Sequence, residues 1–513
     1  MTNNYLLKNF TCKGAFLAFL FVFFTQATSA QSDYSVSSIP FQVYAATASV
    51  QGTMDDTFSA PIPLTFDFRF FGATYNQVNV STNGYISFTP YTEGYFSPWS
   101  FSQTIPDASF PVKNAFLGCY HDLNNSNAQG TITYAVLGAA PYRKFIVLFD
   151  NQSHFSCTEM KSSFQMILYE TLNIMDVQII DKNICPTWNN GGAAVIGIVN
   201  DAGDIAFTPA ERNTGSWTAS QEGWRFQTPV ATDSYAFTKC DDDADGLVSF
   251  NLQVAQNDLN GADPSLVSFY LAESDAISQS NALTSLTYTN TTAGGETIYA
   301  NVNGAIKKIV LRVVDCGVDY DLDSVETASE DLNADTNLAN DDTDADGIAN
   351  FIDNDDDGDM VLTSVEYVFN RNATLVILDT DNDGIPNYID NDDDGDGVLT
   401  INEDYDNNHN PADDDTNANN IPDYLESAVA LGLPSFAKPS ELVLYPNPAT
   451  TVLNIDNKSN ETITNVAIYN VNGSLVKEAK GTSTISVSEL QTGIYFVKIQ
   501  LKDRVMNYKF IKK

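Results

Sequence analysis

Acidic side chains recur at fixed spacing between Asp342 and Glu426, and this constrains the fold more than any other feature of the chain. The run Asp342-Thr-Asp344-Ala-Asp346-Gly347-Ile348-Ala-Asn350-Phe-Ile-Asp353 returns as Asp379-Thr-Asp381-Asn-Asp383-Gly384-Ile385-Pro-Asn387-Tyr-Ile-Asp390. Each is a twelve-residue loop with oxygen side chains at positions 1, 3, 5, 9 and 12 and glycine at position 6. Three more loops keep that phase: Asp355, Asp357, Asp359, Thr363 and Glu366, with Met360 where glycine is wanted; Asp392, Asp394, Asp396, Thr400 and Glu403, with Gly397; and the less charged Asp415, Asn417, Asn419, Asp423 and Glu426. Carboxylates at 1, 3 and 5 converge on one hard cation, glycine permits the sharp turn, position 7 offers its carbonyl and position 12 closes the shell. These side chains are the expected metal ligands and Ca2+ the expected cofactor. The affinity expected of extracellular modules is ~10⁻⁴–10⁻³ M, with tighter binding at Asp392–Glu403.

A solvated acidic linker is the alternative, since runs of like charge usually stay disordered. Such a linker would not repeat Asp-x-Asp-x-Asp-Gly-Ile-x-Asn, nor set an apolar residue inside each loop. The alternating loops resemble thrombospondin type 3 calcium repeats, and Asp392–Glu403 also resembles an EF-hand loop; the resemblance implies a calcium-stiffened spacer. From Asp331 to Glu426 the chain carries 28 acidic residues against one base, Arg371. Without cations that self-repulsion keeps the segment expanded.

Most of the net charge of −41 over 513 residues sits there. It argues against nucleic acid and anionic membrane as partners, both of which need basic patches. Lys8 and Lys13 precede an apolar run, Ala15 to Phe24, with small residues Ala27-Thr-Ser-Ala30 behind it, so 1–30 reads as a secretory signal, and no stretch is long enough for a stable transmembrane helix. Export favours disulfides. Cys157 with Cys185 and Cys240 with Cys316 are the preferred pairs because each bounds a β-rich stretch, which leaves Cys119 single.

The fold class expected is mainly β and multidomain. Residues 31–230 read as an antiparallel β-sandwich: Leu64-Thr-Phe66-Asp-Phe68-Arg-Phe70 alternates strictly, and Val78–Phe88 reads as two strands about Asn83-Gly84. Phe68-Arg-Phe70-Phe71-Gly72 with Ser81-Thr-Asn83-Gly84-Tyr85-Ile86-Ser-Phe88 resembles the N-terminal β domain of secreted Bacteroidetes surface proteins and, more loosely, the nidogen-type extracellular domain. His121-Asp122 and His154 are its only histidines, with no Gly-x-Ser-x-Gly or His-Glu-x-x-His beside them, so no catalytic site is expected. Trp188, Trp217 and Trp224 read as core before they read as a sugar-stacking platform.

Residues 240–316 read as a small disulfide-bounded β-sandwich. It opens with Asp241-Asp-Asp243-Ala-Asp245-Gly246, which reads as an acidic turn or else as a weak, partial calcium site, because Leu252 stands at position 12 where an acid would close the shell. This opening resembles a module of gliding-associated surface proteins. Residues 317–341 and 427–440 read as linkers around the repeats of 331–426. In 441–513, Leu442-Val-Leu444-Tyr445-Pro446-Asn447-Pro448, then Val466-Ala-Ile468-Tyr469-Asn-Val471-Asn472-Gly473, then Gly493-Ile494-Tyr495-Phe496-Val497 and a basic end resemble the type A sorting domain of the type IX secretion system. That resemblance implies an Ig-like, seven-stranded sandwich, the type IX secretion machinery as partner, and cleavage in the 427–440 linker. The reading is a non-enzymatic, calcium-binding surface or secreted protein that adheres to or recognises an unknown extracellular glycan or protein. A surface hydrolase with its site in 31–230 and a structural surface-layer subunit are the alternatives.

Overall fold

The computed structural model describes residues 33–52, 54–126, 130–367, 378–427, 442–457, 462–470, 474–501 and 505–513. The signal segment 1–30 and most of the linker 427–440 lie outside them. The chain divides into two compact units, Met1–Ala430 and Leu431–Lys513.

The first unit opens with two facing antiparallel sheets. One has the order Ser35–Ile39, Ala219–Gln227, Met175–Lys182, Cys157–Tyr169, Lys144–His154, Thr131–Leu137, Ala48–Ser49, and the other runs Ala206–Phe207, Ala193–Val199, Ala115–Tyr120, Tyr85–Ser87, Ala73–Ser81, Ile62–Phe70. Strand Ile62–Phe70 alternates buried and exposed along its whole length, turning Leu64, Phe66, Phe68 and Phe70 into the core against Phe145, Val147, Phe164 and Met166. Ala115–Tyr120 is buried at every position, so it carries no alternation from which a strand could be read. At the Asn83-Gly84 turn φ is 83°, and a Cβ on Gly84 would sit 2.3 Å from the Cys119 carbonyl oxygen, so only glycine fits. Cys157–Cys185 and Cys240–Cys316 both form, with Cα separations of 5.6 and 5.4 Å, and Cys119 is free and buried.

The next module is a mixed four-stranded sheet in the order Ser234–Cys240, Ala305–Val314, Gly295–Val302, Val267–Tyr270. Its first strand begins before Cys240, which ends it, and runs parallel to Ala305–Val314. Helix Leu252–Leu259 packs Leu252, Val254 and Ala255 into the same core as Phe237, Phe269 and Leu311. Leu252 is therefore a core residue, and Asp241 caps its own turn by accepting from the N–H groups of Ala244 and Gly246.

Two expectations are corrected here. Residues 317–341 are not a loose linker: Asp319 accepts from the Leu322 and Ser324 N–H groups and Asp331 from those of Asp335 and Thr336, so the acidic loops begin earlier. Nor do the first repeats stand away as a spacer. Ile348 is buried with Tyr44, Ile146, Ile167, Tyr169 and Ile174 of the sandwich, and Phe351 with Tyr142, Val314, Tyr320 and Leu338. Asn337 accepts from the Thr238 N–H and donates to Tyr235, tying the same segment to the second module. The apolar residues inside and after the loop, needed by no cation, supply this docking.

The second unit has a three-stranded sheet, Leu442–Tyr445, Val452–Asn457 and Thr484–Ser486, and a four-stranded sheet, Leu475–Lys480, Asn465–Asn470, Gly493–Gln500 and Val505–Lys512. Leu442, Leu453 and Ile485 meet Val466, Ile468, Val497, Ile499 and Phe510 between them, the seven-stranded sandwich expected.

Candidate metal centre

Local hydrogen bonds shape each loop. The position 1 carboxylate accepts from the N–H of position 6, as Asp342 does from Gly347 at 3.1 Å and Asp392 from Gly397 at 3.1 Å. The position 5 side chain accepts from position 7, at 2.8 Å for Asp346, 2.7 Å for Asp359, 2.8 Å for Asp383 and 2.8 Å for Asp396. Position 6 takes the left-handed conformation whether or not it is glycine: φ is 94° at Gly347, 99° at Gly384, 89° at Gly397 and 79° at Met360. Met360 thus bends like the glycines, and the Asp355 loop closes in the same way.

The turns bring carboxylates together. The ligand oxygens of Asp342, Asp344 and Asp346 lie within 4.8 Å of one another, as do those of Asp355, Asp357 and Asp359. Buried oxygens that meet no donor belong to Asp342, Asp355, Asp357, Asp359, Asp379, Asp392 and Asp394, and to both oxygens of Glu366. The loops are also coupled in pairs. A Cβ on Gly358 would lie 2.5 Å from Asp344 Oδ2, and one on Gly395 would lie 2.3 Å from Asp381 Oδ2, so a position 3 carboxylate of one loop rests on the turn of the next.

Burial pushes Asp344 up to about 6, Asp359 and Asp353 to about 7 and Glu403 to about 8. It holds Asp355, Asp357 and Glu366 well above the carboxylate range, and neighbouring carboxylates push the same way. Buried anions without partners cost several kcal/mol each. A hard divalent cation, bound by oxygen alone, removes that cost; sulfur and imidazole donors, which softer metals prefer, do not stand at ligand positions 1, 3, 5, 9 and 12 of these loops.

Not every expected ligand points to a loop centre. Asn350 Oδ1 accepts from the Thr343 N–H at 3.0 Å while its Nδ2 donates to Thr343 Oγ1 at 2.9 Å, and Asn387 grips Thr380 identically at 2.9 and 3.0 Å. Thr363 Oγ1 accepts from the Asp356 N–H, Thr400 Oγ1 donates to Asp393, and Asp423 accepts from the Thr416 N–H. Position 9 is therefore a staple to position 2, buried because it closes the loop behind the carboxylates. Asp353 faces the buried Arg225 guanidinium at 3.8 Å, which already neutralises part of its charge. In the last loop Glu426 accepts from Asn417 Nδ2 at 2.7 Å and Asn419 Nδ2 at 2.8 Å, so amides occupy the oxygens a cation would use. Asp390 accepts from the Asp392 N–H at 3.1 Å and links its loop to the next.

The histidines of the sandwich, 33 residues apart in sequence, also meet. His121 Nε2 and His154 Nε2 are 3.2 Å apart, His121 Nδ1 is 2.8 Å from the Cys119 carbonyl oxygen, and His154 Nε2 is 2.8 Å from Ser162 Oγ. Only 4% and 1% of their surfaces are exposed, and burial depresses both, His154 to about 3. Both rings are neutral at pH 7 and sealed from solvent. Of the three tryptophans, Trp217 is core, with Nε1 on the Ala194 carbonyl, and Trp188 stacks on Trp99 instead.

Comparison with known proteins divides the chain in the same way. The family model described as NIDO related matches residues 28–239, the Flavobacterium inter-domain disulphide bond domain matches 236–315, the BamM C-terminal family matches 320–374, and the secretion system C-terminal sorting domain matches 443–513. No curated protein matches. Among solved structures, a "Biofilm associated protein - BSP domain" aligns at 11% identity over 75% of this chain and 51% of that one, with a TM-score of 0.12; the chain spans about half of that protein's length. The sorting domain defines the class: a protein exported across the outer membrane to the cell surface or the extracellular space. Together with the disulphide domain it marks a cargo of the type IX secretion system of Bacteroidetes. No helix among the described residues is long and apolar enough to cross a membrane.

Proposed function

We propose that this exported protein is a non-enzymatic, calcium-dependent recognition or adhesion protein. Its acidic loops, akin to thrombospondin type 3 repeats, bind calcium and hold the N-terminal sandwich in its working form. The observation that carries the reading is the series of buried carboxylate oxygens without donors in loops 342–403. Titration of calcium into the full chain, followed by calorimetry and circular dichroism, tests it: several bound ions with a gain of order are expected, and the absence of binding sinks it. The sealed histidine pair supports a non-enzymatic reading, since a general base must reach its substrate. For the ligand, a recess of about 290 Å³ lined by Asp67, Thr74, Tyr75, Asn76, Gln77 and Phe88 offers amides and an aromatic face suited to a glycan.

Asn387→Ala removes the staple on Thr380 and leaves the Thr380 N–H without its partner. It is expected to cost ~1–3 kcal/mol of stability and to leave the number of bound calcium ions unchanged; loss of an ion would restore Asn387 as a ligand. Deletion of 441–513 is expected to trap the protein in the periplasm, with surface protein lost on cell fractionation. Surface display of the truncated chain would contradict the address role of the tail.

A further inference from the structure

We propose that Asp319, Asp321, Asp323 and Glu330, joined by Asp356 of the following loop, form a calcium site that fastens the acidic repeats to the N-terminal sandwich. The identity of the ion rests on the calcium reading above; the site itself rests on its own geometry. Asp319, Asp321, Asp323, Val325, Thr327 and Glu330 stand at positions 1, 3, 5, 7, 9 and 12 of a twelve-residue loop. Ser324 holds position 6 with φ 83°, and Asp323 Oδ1 accepts from the Val325 N–H at 2.7 Å, as position 5 does in the other loops. Ligand oxygens of Asp319, Asp321 and Asp323 lie within 4.8 Å of one another, and so do those of Asp323, Glu330 and Asp356.

Asp321, Glu330 and Asp356 are each 1% exposed, and both carboxylate oxygens of all three meet no donor, as does Asp323 Oδ2. Lys144, 3% exposed, is the buried cation of this corner, but its Nζ donates to the main-chain carbonyl of Asp321 at 2.6 Å rather than to a carboxylate. Ionised, the four buried carboxylates would set a triple negative charge against one ammonium, which a protein interior does not carry without a counter-ion. A divalent ion bound by oxygens alone meets both the charge and the donor set, and carboxylates gathered from two loops suit the larger, less regular shell of calcium better than the strict octahedron of magnesium. Asp356 can join because its own N–H is stapled to Thr363, which leaves its side chain to the neighbouring loop. One repeat later Asp393 stands in the same relation: 1% exposed, with Oδ1 lacking a donor, beside Asp359 and Glu366. Through the Asp321 carbonyl and Lys144 the site is anchored to strand Lys144–His154 of the sandwich.

Native mass spectrometry of the full chain in calcium, for wild type, Asp356→Asn, Glu330→Gln and the double variant, tests the proposal. Each single variant is expected to bind one calcium ion fewer than wild type, and the double variant also one fewer, because both residues serve one ion. Unchanged stoichiometry in both single variants, or loss of two ions in the double variant, overturns the site while leaving the other loops intact. A wild-type chain that binds no calcium overturns the function proposed above as well. Hydrogen exchange on the unmutated protein gives a second reading: calcium is expected to slow exchange across 319–330 relative to EGTA, and equal rates would overturn the site.

Discussion

Chelation of calcium with EGTA is expected to unfold residues 319–367 and 378–427 at neutral pH, with loss of exchange protection across the loops and a lower midpoint of thermal unfolding. At about 1 mM calcium each site of ~10⁻⁴–10⁻³ M affinity stabilises the folded chain by ~0.4–1.4 kcal/mol, and the terms of several sites add. The pH dependence should reverse with the ion. Without calcium, burial raises Asp359 to about 7, Glu403 to about 8 and Glu330 to about 9 in the folded state, against roughly 4 in an unfolded chain. The folded state then holds protons that the unfolded state has released. Chelated stability is therefore greatest near pH 4 and falls as pH rises toward 7–9. With calcium the carboxylates remain ionised, and stability falls instead as acid displaces the ion. Calorimetric scans between pH 5 and pH 8 in calcium and in EGTA should show opposite slopes; parallel slopes would remove the cation from the account.

Arg225→Met is expected to destabilise the first unit by ~3–5 kcal/mol. Arg225 Nε and Nη2 donate to the two oxygens of Asp176 at 3.1 Å each, and Nη1 lies 3.8 Å from Asp353, with the arginine side chain 6% exposed and the Asp176 side chain 1% exposed. Methionine fills the volume but leaves two buried carboxylates without a counter-charge. Arg225→Lys should fall between, because an ammonium keeps the charge and loses the two-pronged geometry. The double variant Arg225→Met with Asp176→Leu should recover part of the loss, since the Arg225–Asp176 pair is then replaced by an apolar pair while Asp353 still lacks its counter-charge. Denaturant unfolding in calcium measures all three; a single-variant loss below ~1 kcal/mol would mean that water reaches the pair.

The docking of the repeats gives this pair its consequence. Asp353 belongs to the first full loop and Arg225 to the sandwich strand Ala219–Gln227, so the charge contact and the burial of Ile348 and Phe351 act on the same junction. On the function proposed above, calcium bound in the loops would act through this junction on the domain that carries the recess lined by Asp67 and Tyr75.

The amino-acid sequence by itself determined what depends on near neighbours. The loop turns follow from side chains accepting hydrogen bonds from N–H groups two to five residues on, so Asp342 to Glu426 was legible at that spacing. Alternation exposed the strand Ile62–Phe70, and the resemblance carried by Tyr445-Pro446-Asn447-Pro448 and Gly493-Ile494-Tyr495 exposed the sorting sandwich. Tertiary structure decided what depends on distant partners. The loop at Asp319 was masked by Ser324 at the glycine position and by Tyr320 and Leu322 between its acids, and only burial beside Asp356 reveals its carboxylates as one cluster. Position 9 carries oxygen in a ligand's place along the chain, yet the folded loop turns it to position 2, since closing the backbone takes that donor first. His121 and His154 meet because Leu123–Asn124, just after His121, pairs with the end of strand Lys144–His154, and Ile348 leaves its loop because the sandwich offers an apolar surface; neither partner is written in the residues nearby.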